Sequence, residues 1–544
     1  MKTHRRPDDL RRVDFVDNGV STTETEVRAA ELTAVCCLAT DLGMGFPFEH
    51  GLHATLMTRR LASLLDVDET TASQSFYASL LMYAGCTADT AFTQGILGGR
   101  ALDHITPAQF GSPVEGISGA IHALSPPDAP FYQRFFATMR GLPKVATHHK
   151  SHFSTLCEVS EIMAERLGMP PSVSRLFPLL TERWDGKGIL KRATGDDIPL
   201  SLRIVHVARD AAFQALVFGV DRAVEVVRER GGHAFDPEIA ETFAKDAHEI
   251  LAMADTSESV WEETLAAEPK PHLLLNGDEI DRSLAATGDF SDLSSPYLSG
   301  HSRGVAELVT IAAESLRLEP DEKVLVRRAA QLHDVGRAGI SPKIWEKPGS
   351  LSADEWEQIR MHAYYTERVL TRSRFLSPLV DMACGHHERL DGTGYHRGST
   401  ARSLSPGARL LAAADTFHAM TEPRPYRSAM SADQAAETVA DEAEAGRLDP
   451  QMVKAVVEAA GEPSPAVELP SGLTEREAEI VGLLARGLQT KQMARALGIS
   501  NKTADHHIQN AYRKMGVSTR AAATLFAMDH GLVSWSDTVE AKAL

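Results

Sequence analysis

The chain of 544 residues repeats itself. At an offset of 251, His50 to Gly85 lies over His301 to Gly336 without a gap. At an offset of 206, Thr181-Glu182-Arg183-Trp184-Asp185-Gly186-Lys187-Gly188 lies over His387-Glu388-Arg389-Leu390-Asp391-Gly392-Thr393-Gly394, and at 213, Asp236-Pro237 lies over Asp449-Pro450. The matches keep one order, with 45 fewer residues between the first two in the second copy. A duplication constrains the fold more than any local signal, because each recurrence must be the same packed unit. Its segments read as helices: Glu24 to Thr40, Ala54 to Leu65, Asp354 to Leu370 and Ser431 to Glu444 carry apolar residues at helical spacing with few internal Gly or Pro, and strand signals are scarce. The expected fold is all-α, with two tandem helical bundles.

Composition bounds the rest. At roughly 100 to 200 residues per domain, this length predicts about three to five domains, and 43% apolar with 24% charged residues supplies several cores and excludes wholesale disorder. Lys plus Arg is 56 against 74 for Asp plus Glu, a net charge of -18, so any nucleic-acid contact must come from a local basic patch. The five cysteines form no C-x-x-C pair, which predicts a reduced, cytoplasmic protein with Cys36 and Cys37 in a core helix. No apolar run is long enough to span a membrane and MKTHRRPDDLRRVDF has no apolar core of a signal peptide, so no membrane partner is expected. The polar residues 1–23 read as a flexible arm, 24–265 and 295–460 as the two copies, 266–294 and the proline-rich 461–472 as linkers, 473–535 as a separate small domain and 536–544 as a tail.

The second copy concentrates polar residues that an apolar core does not need: His301, His333-Asp334 inside AAQLHDVG, His362, His386-His387, and Asp415 inside RLLAAAD. A lone histidine on a helix is more often a solvated or hydrogen-bonded side chain than a ligand, so the set carries the argument. Five imidazoles and two carboxylates without a thiolate suit two ions of Fe, Mn or Ni more than Zn, and a buried His-Asp pair is costly unless a cation satisfies it. With LHDVGRAGISPKIWEKPGSLSADEWEQIRMHA at 332–363, GHHERLDGTGY at 385–395 and AADTFHAMTEPRPYRSAM at 413–430, residues from about 295 to 450 resemble the HD-GYP subgroup of the HD-domain metal-dependent phosphohydrolases. The resemblance implies an HD-type helical bundle and, as metal ligands, His301, His333, Asp334, His362, His386, His387 and Asp415, with Asp334 bridging. It also implies hydrolysis of a phosphodiester, cyclic di-GMP in most characterised members, by in-line displacement at two divalent ions. By family position Asp334 and Arg337 are the catalytic candidates, and Arg337, Tyr395, Arg424 and Arg427 the substrate-binding ones.

Two departures stand out. The family's Gly-Tyr-Pro reads Gly394-Tyr395-His396, so the proline that stiffens the loop is gone, which bears on substrate choice more than on metal binding. The position one turn before His301, where three-metal members carry Glu, is Tyr297, so two metals are expected. In the first copy the offsets put Met82 and Tyr83 at His333 and Asp334, and Leu180 and Thr181 at His386 and His387. His50 survives, and Asp415 falls on Arg209, or on Asp210 if one residue is inserted, so this copy is expected to be a degenerate, inert HD unit. His148, His149 and His152 are read as a polar helix start rather than a ligand cluster.

From Leu473 the charge reverses: between Ser471 and Trp535 there are eight Lys or Arg and five acids. LTEREAEIVGLLARGLQTKQMARALGISNKTADHHIQNAYRKMGVSTRAAA resembles the LuxR-type four-helix helix-turn-helix domain. Thr474 and Glu477 form a capping box, Gly498 makes the turn, and Thr503 to Met515 is the implied recognition helix. The implied DNA contacts are Lys491, Asn501, Lys502, Thr503, His506, His507, Lys514 and Arg520, while Asp505 stands where many members carry a basic residue. The whole reads as a LuxR-type transcription regulator carrying an HD-GYP-like phosphodiesterase, with promoter DNA and a phosphate-containing small molecule as partners and a homodimer as its working form. The alternatives are a non-catalytic nucleotide-sensing transcription factor and a phosphohydrolase of a different substrate.

Overall fold

The computed structural model describes residues 26–88, 109–125, 130–252, 259–461 and 469–533. The arm at 1–23, the core of the linker at 461–472 and the tail at 536–544 lie outside them. The first copy opens with strand β1 (Glu26–Arg28) and continues through α1 (Ala29–Met44), α2 (His50–Leu64), α3 (Glu69–Leu80), α4 (Pro113–Leu124), α5 (Phe131–Arg166), α6 (Leu200–Phe218), α7 (Val220–Arg230), α8 (Pro237–Ala252) and α9 (Val260–Ala266). The second opens with β2 (Leu274–Asn276) and continues through α10 (Gly277–Asp292), α11 (His301–Ser315), α12 (Pro320–Leu332), α13 (Ala353–Leu370), α14 (Pro406–Thr421), α15 (Ala432–Glu444) and α16 (Pro450–Ala460). Cys36 and Cys37 are buried in α1. No helix among the described residues is long and apolar enough to cross a membrane.

The sequence offsets recur as structure. Helices α2 and α11 begin and end 251 residues apart, each entered through a left-handed residue, Glu49 and Gly300. Asp41 accepts from the Gly51 amide and Asp292 from the Ser302 amide, the same contact shifted by 251. Glycines 85 and 336 are also equivalent: a Cβ on Gly85 would strike the Leu156 carbonyl and one on Gly336 the His362 carbonyl, while their amides donate to Ser160 and Thr366. Asp236 and Asp449 cap α8 and α16 and pair with Arg203 and Arg409, which are 206 apart. Strands β1 and β2 pair antiparallel, with Val27 opposite Leu275. Because each leads into the first helix of its copy, this pairing relates the copies by a local two-fold, and one apolar core runs through both.

The segment 266–294 is not a linker but mostly β2 and helix α10, whose residues Ile280 and Ser283 to Asp292 are buried. The composition of GDEIDRSLAATGDFSD misleads because its polar groups have partners inside: Asp289 binds Arg303 and Arg166, Asp292 binds Ser302, and Ser291 Oγ donates to the Asp334 carbonyl at 2.6 Å. Glu24 to Thr40 likewise divides, its first described residues forming β1 and the rest α1. His148, His149 and His152 lie in the middle of α5 rather than at a helix start.

The C-terminal unit comprises α17 (Glu475–Ala485), α18 (Thr490–Ala496), α19 (Asn501–Met515) and α20 (Arg520–Asp529). Thr474 and Glu477 form the expected capping box. The unit packs on the two helical bundles mainly through α20: Asp529 pairs with Arg303 and Arg166, Ser299 Oγ donates to the Ala485 carbonyl, the Gly300 amide meets Met528 Sδ, and the Ser518 amide donates to Glu158.

Candidate metal centre and DNA-binding face

The duplicated fold brings seven predicted side chains of the second copy into one buried centre. His301 is the first residue of α11, His333 and Asp334 follow the last turn of α12, His362 lies in α13, Asp415 in α14, and His386 and His387 in the turn after the short helix Val380–Cys384. All are buried except His387, whose side chain is 18% exposed. The centre divides around Asp334. Its Oδ1 lies 3.4 Å from both His362 Nε2 and His386 Nε2, and its Oδ2 lies 2.9 Å from His333 Nε2 and 3.4 Å from His301 Nε2. His301 Nε2 reaches Asp415 Oδ1 at 3.1 Å, and His387 Nδ1 lies 3.7 Å from Asp415 Oδ2.

The donors suit divalent cations. Ligand atoms held at about 2.0–2.2 Å around one ion stand roughly 3–3.5 Å apart, and here His362, His386 and His387 bring theirs within 4.8 Å of one another, as do His301, His333, Asp334 and Asp415. His333 Nδ1, His362 Nδ1 and His386 Nδ1 face the carbonyls of Ala330, Ile359 and Ala383 at 2.7, 2.5 and 2.6 Å. Each carbonyl keeps the proton on Nδ1 and leaves the Nε2 lone pair turned inward. His333 Nε2 and Arg337 Nη1 lie 2.9 and 2.6 Å from Asp334 Oδ2 as ion pairs, but neither Asp334 oxygen nor His333 Nε2 makes a well-directed hydrogen bond, so their lone pairs are free to take a cation. Burial alone would raise the Asp334 carboxyl, but Arg337 and His333 hold it well below the usual range.

The cationic candidates divide. Arg337 is buried, with Nη1 2.6 Å from Asp334 Oδ2 and its guanidinium over the Trp345 ring. Tyr395 stacks on His387 with ring centroids 4.6 Å apart and closes one side of the centre. Arg424 is held by Glu422 at 2.8 Å and by the Tyr297 carbonyl, and Arg427 donates to the carbonyls of Met420, Glu422 and Ala419, so both brace the loop after α14. His396 Nε2 lies 2.8 Å from Glu367 Oε2, Arg397 pairs with Glu367 and Asp381, and the amides of Arg397 and Ser399 donate to Glu388. Polar anchors thus hold the loop where a proline ring would. Replacing His396 by alanine is expected to raise KM about tenfold with kcat changed less, since a loosened loop weakens binding before chemistry; steady-state kinetics checks this.

Sequence reasoning missed Glu422 and His418. Glu422 is fully buried, its Oε2 2.9 Å from His301 Nδ1, and it forms a third group with His301 and His418. Burial would raise its carboxyl, yet His301 and Arg424 hold it at about 2. The signal was present: His418 and Glu422 stand four apart, on one face of a helix end.

In the first copy the same positions are filled differently. Leu156 stands where His362 does, and α6 and α14 begin 206 apart, which settles Arg209 rather than Asp210 as the counterpart of Asp415. Arg209 is buried with its guanidinium 4.8 Å from the Tyr83 ring, the counterpart of Asp334, and Nη1 donates to the Gly51 carbonyl. Asp210 instead pairs with Arg230 at 2.7 Å. Burial and the Arg209 charge hold His50 down at about 3. Arg209→Ala is expected to destabilise the fold by about 3 kcal/mol while leaving the turnover of the folded protein unchanged, measured by denaturant unfolding beside an activity assay.

Known proteins resemble this chain in both of its parts. The HD domain model matches residues 289–452, and the model of bacterial regulatory proteins of the luxR family matches 471–527. The 3'3'-cGAMP-specific phosphodiesterase 3 of Vibrio cholerae is 29% identical over 415 residues, spanning 75% of this chain and 89% of the relative. The cyclic di-GMP phosphodiesterase response regulator RpfG of Xanthomonas campestris is 31% identical over 271 residues, 48% of this chain and 67% of that one. The chain belongs to the HD-GYP phosphodiesterases. The crystal structure of the V. cholerae cyclic GMP-AMP-specific phosphodiesterase V-cGAP3 superposes on this HD-GYP protein with a TM-score of 0.56 at 25% identity, covering 80% of this chain and 99% of that one.

The HD-GYP protein carries its LuxR-type domain with α19, which contains the implied recognition helix, turned to solvent. Asn501, Lys502, Thr503, Asp505 and His506 are exposed, as is Lys491 on α18, and His507 is half-buried. Two predicted contacts are committed elsewhere. Lys514 Nζ donates to Glu477 at 2.6 Å and to the Gly472 carbonyl, and Arg520 donates to the carbonyls of Leu484 and Leu488, closing the C-terminal end of α17.

Proposed function

We propose that this HD-GYP protein hydrolyses a phosphodiester bond of a 3'3'-linked cyclic dinucleotide at the centre around Asp334, and that its LuxR-type domain couples the state of that centre to promoter DNA. The observation that carries the reading is the division of the Asp334 carboxylate, one oxygen toward His362 and His386, the other toward His301 and His333. His301, His333, Asp334, His362, His386, His387 and Asp415 would hold two divalent ions, Fe, Mn or Ni ahead of Zn. Such ions, when bound, acidify water and neutralise phosphate charge. Within the chain, Asp334 is kept ionised by its neighbours, the backbone carbonyls fix the imidazole tautomers, Arg337 places a guanidinium beside the bridging carboxylate, and Tyr395 offers a ring edge to a base or ribose. Of the relatives' substrates, 3'3'-cGAMP is the first choice, because the relative matched across most of both chains is named for it; cyclic di-GMP is second. Purified full-length chain supplied with Mn or Fe should convert 3'3'-cGAMP to a linear product seen by chromatography, with Asp334→Asn inactive. Binding of either nucleotide without turnover would favour the sensor instead.

Coupling to DNA has a structural path. His301 heads α11, and the residues around it, Ser299, Gly300 and Arg303, are those on which α17 and α20 sit. Two chains would occupy the two half-sites of an operator, as helix-turn-helix dimers do, with Lys491, Asn501, Lys502, Thr503, His506 and His507 toward DNA. Lys502→Ala should weaken DNA binding about tenfold and reduce the salt slope by about one, read from fluorescence anisotropy at several salt concentrations. An unchanged slope would remove Lys502 from the interface.

A further inference from the structure

The first copy contains an insertion with no counterpart in the second. Ala353, the first residue of α13, corresponds at offset 206 to Thr147 inside α5, so α4 and residues 131–146 of α5 are additional. The inserted helices share a small core of their own, in which Ala120, Ala123 and Leu124 meet Val145 and Leu142. A Cβ on Gly141 would strike Leu124, so the end of α4 lies at Gly141 and the first ten residues of α5 run on past it. Beside exposed polar residues such as Glu115, Gln133, Arg140 and Lys144, this arm presents large apolar ones outward. Tyr132, Phe135, Phe136 and Met139 recur at helical spacing on α5, and Val114, Ile117 and Ile121 do so on α4, each between 38% and 75% exposed.

Surfaces of this kind are rarely left bare in a monomer. About half of each of seven large side chains, with aromatic ones at roughly 150–250 Å² apiece, amounts to on the order of 800 Å², what one partner contributes to a standard interface. We propose that the arm formed by α4 and the first half of α5 is the homodimer interface, packing against the same arm of a second copy in an isologous helical bundle. A second copy is the favoured occupant for two reasons. Two arms related by a two-fold can cover each other's apolar stripes, completing a helical bundle with no other component. The same helix α5 also carries the LuxR-type domain at its other end, through Glu158 to Ser518 and Arg166 to Asp529. Met139 and Glu158 are 19 residues apart, roughly 28 Å along the helix, so pairing of the arms fixes the separation of two recognition helices. The inference thus deepens the reading of the protein as a dimeric DNA binder, on which it rests.

The test uses the full chain without nucleotide or DNA. Analytical ultracentrifugation at about 10 μM should give a dimer for the natural sequence and a monomer for the doubly charged variant I117E/F136E, with the dimer dissociation constant raised at least a hundredfold. Metal content and phosphodiesterase turnover should be unchanged, since neither residue is near the centre. If the charged variant lost helical content, Phe136→Ala alone should still raise the dissociation constant about tenfold. A natural chain that is monomeric at this concentration, one that stays dimeric in the charged variant, or a monomer that binds phosphatidylcholine vesicles through the stripe would each overturn the proposal. A dimer without turnover would leave it standing and remove the hydrolytic reading instead.

Discussion

Asp334→Ala is expected to lower phosphodiester turnover by at least ~10³-fold and to strip the protein of bound metal. The two groups meet most closely at this carboxylate, with His362 and His386 on one oxygen and His301 and His333 on the other. Its removal leaves two clusters joined only where His387 faces Asp415 at 3.7 Å, and residues that act as a unit fail together. The loss should appear in both turnover and metal content of one preparation, while the helical spectrum stays intact. Turnover within tenfold of the natural chain would place hydrolysis elsewhere. The first-copy variant Arg209→Ala supplies the contrast, because it perturbs the counterpart of Asp415, against the Tyr83 ring at the Asp334 position, in a copy that keeps only His50 of the set.

Glu422→Gln should weaken metal retention ten- to a hundredfold, the usual cost of losing a carboxylate that orients a ligating histidine. Glu422 Oε2 lies 2.9 Å from His301 Nδ1, so it fixes the ring whose Nε2 points at Asp334 and Asp415. Glutamine keeps the shape and removes the charge that Arg424 and His301 stabilise. Competition with a chelator reads the retention, and ion stoichiometry separates two roles. Two ions per chain fit an orienting carboxylate, whereas three would make Glu422 a ligand together with His301 and His418. Unchanged retention would show that the His301 ring is held by packing alone.

Much of this protein was legible in its amino-acid order. The repeat at 251, 206 and 213 predicts two copies of one helical bundle, and the structure keeps the same spacing in helix ends, caps and glycine contacts. The buried His and Asp cluster was legible because such residues inside apolar runs conflict with their surroundings unless something satisfies them, and that conflict is written locally. The LuxR-type unit was legible through its capping box and charge reversal.

Only the tertiary structure decided what depends on partners far apart in the chain. Residues 277–292 look like a linker because serine, aspartate and glycine dominate them, yet Arg166 and Arg303 pair with Asp289 and make a buried helix of them. Lys514 and Arg520 read as DNA contacts until Glu477 and the end of α17 engage their donors. Glu422 gained a role only when the fold set it behind His301, 121 residues away in sequence. Local pattern fixes which residues resist burial, whereas the choice of partner that relieves them is a long-range contact, and the order of residues does not state it.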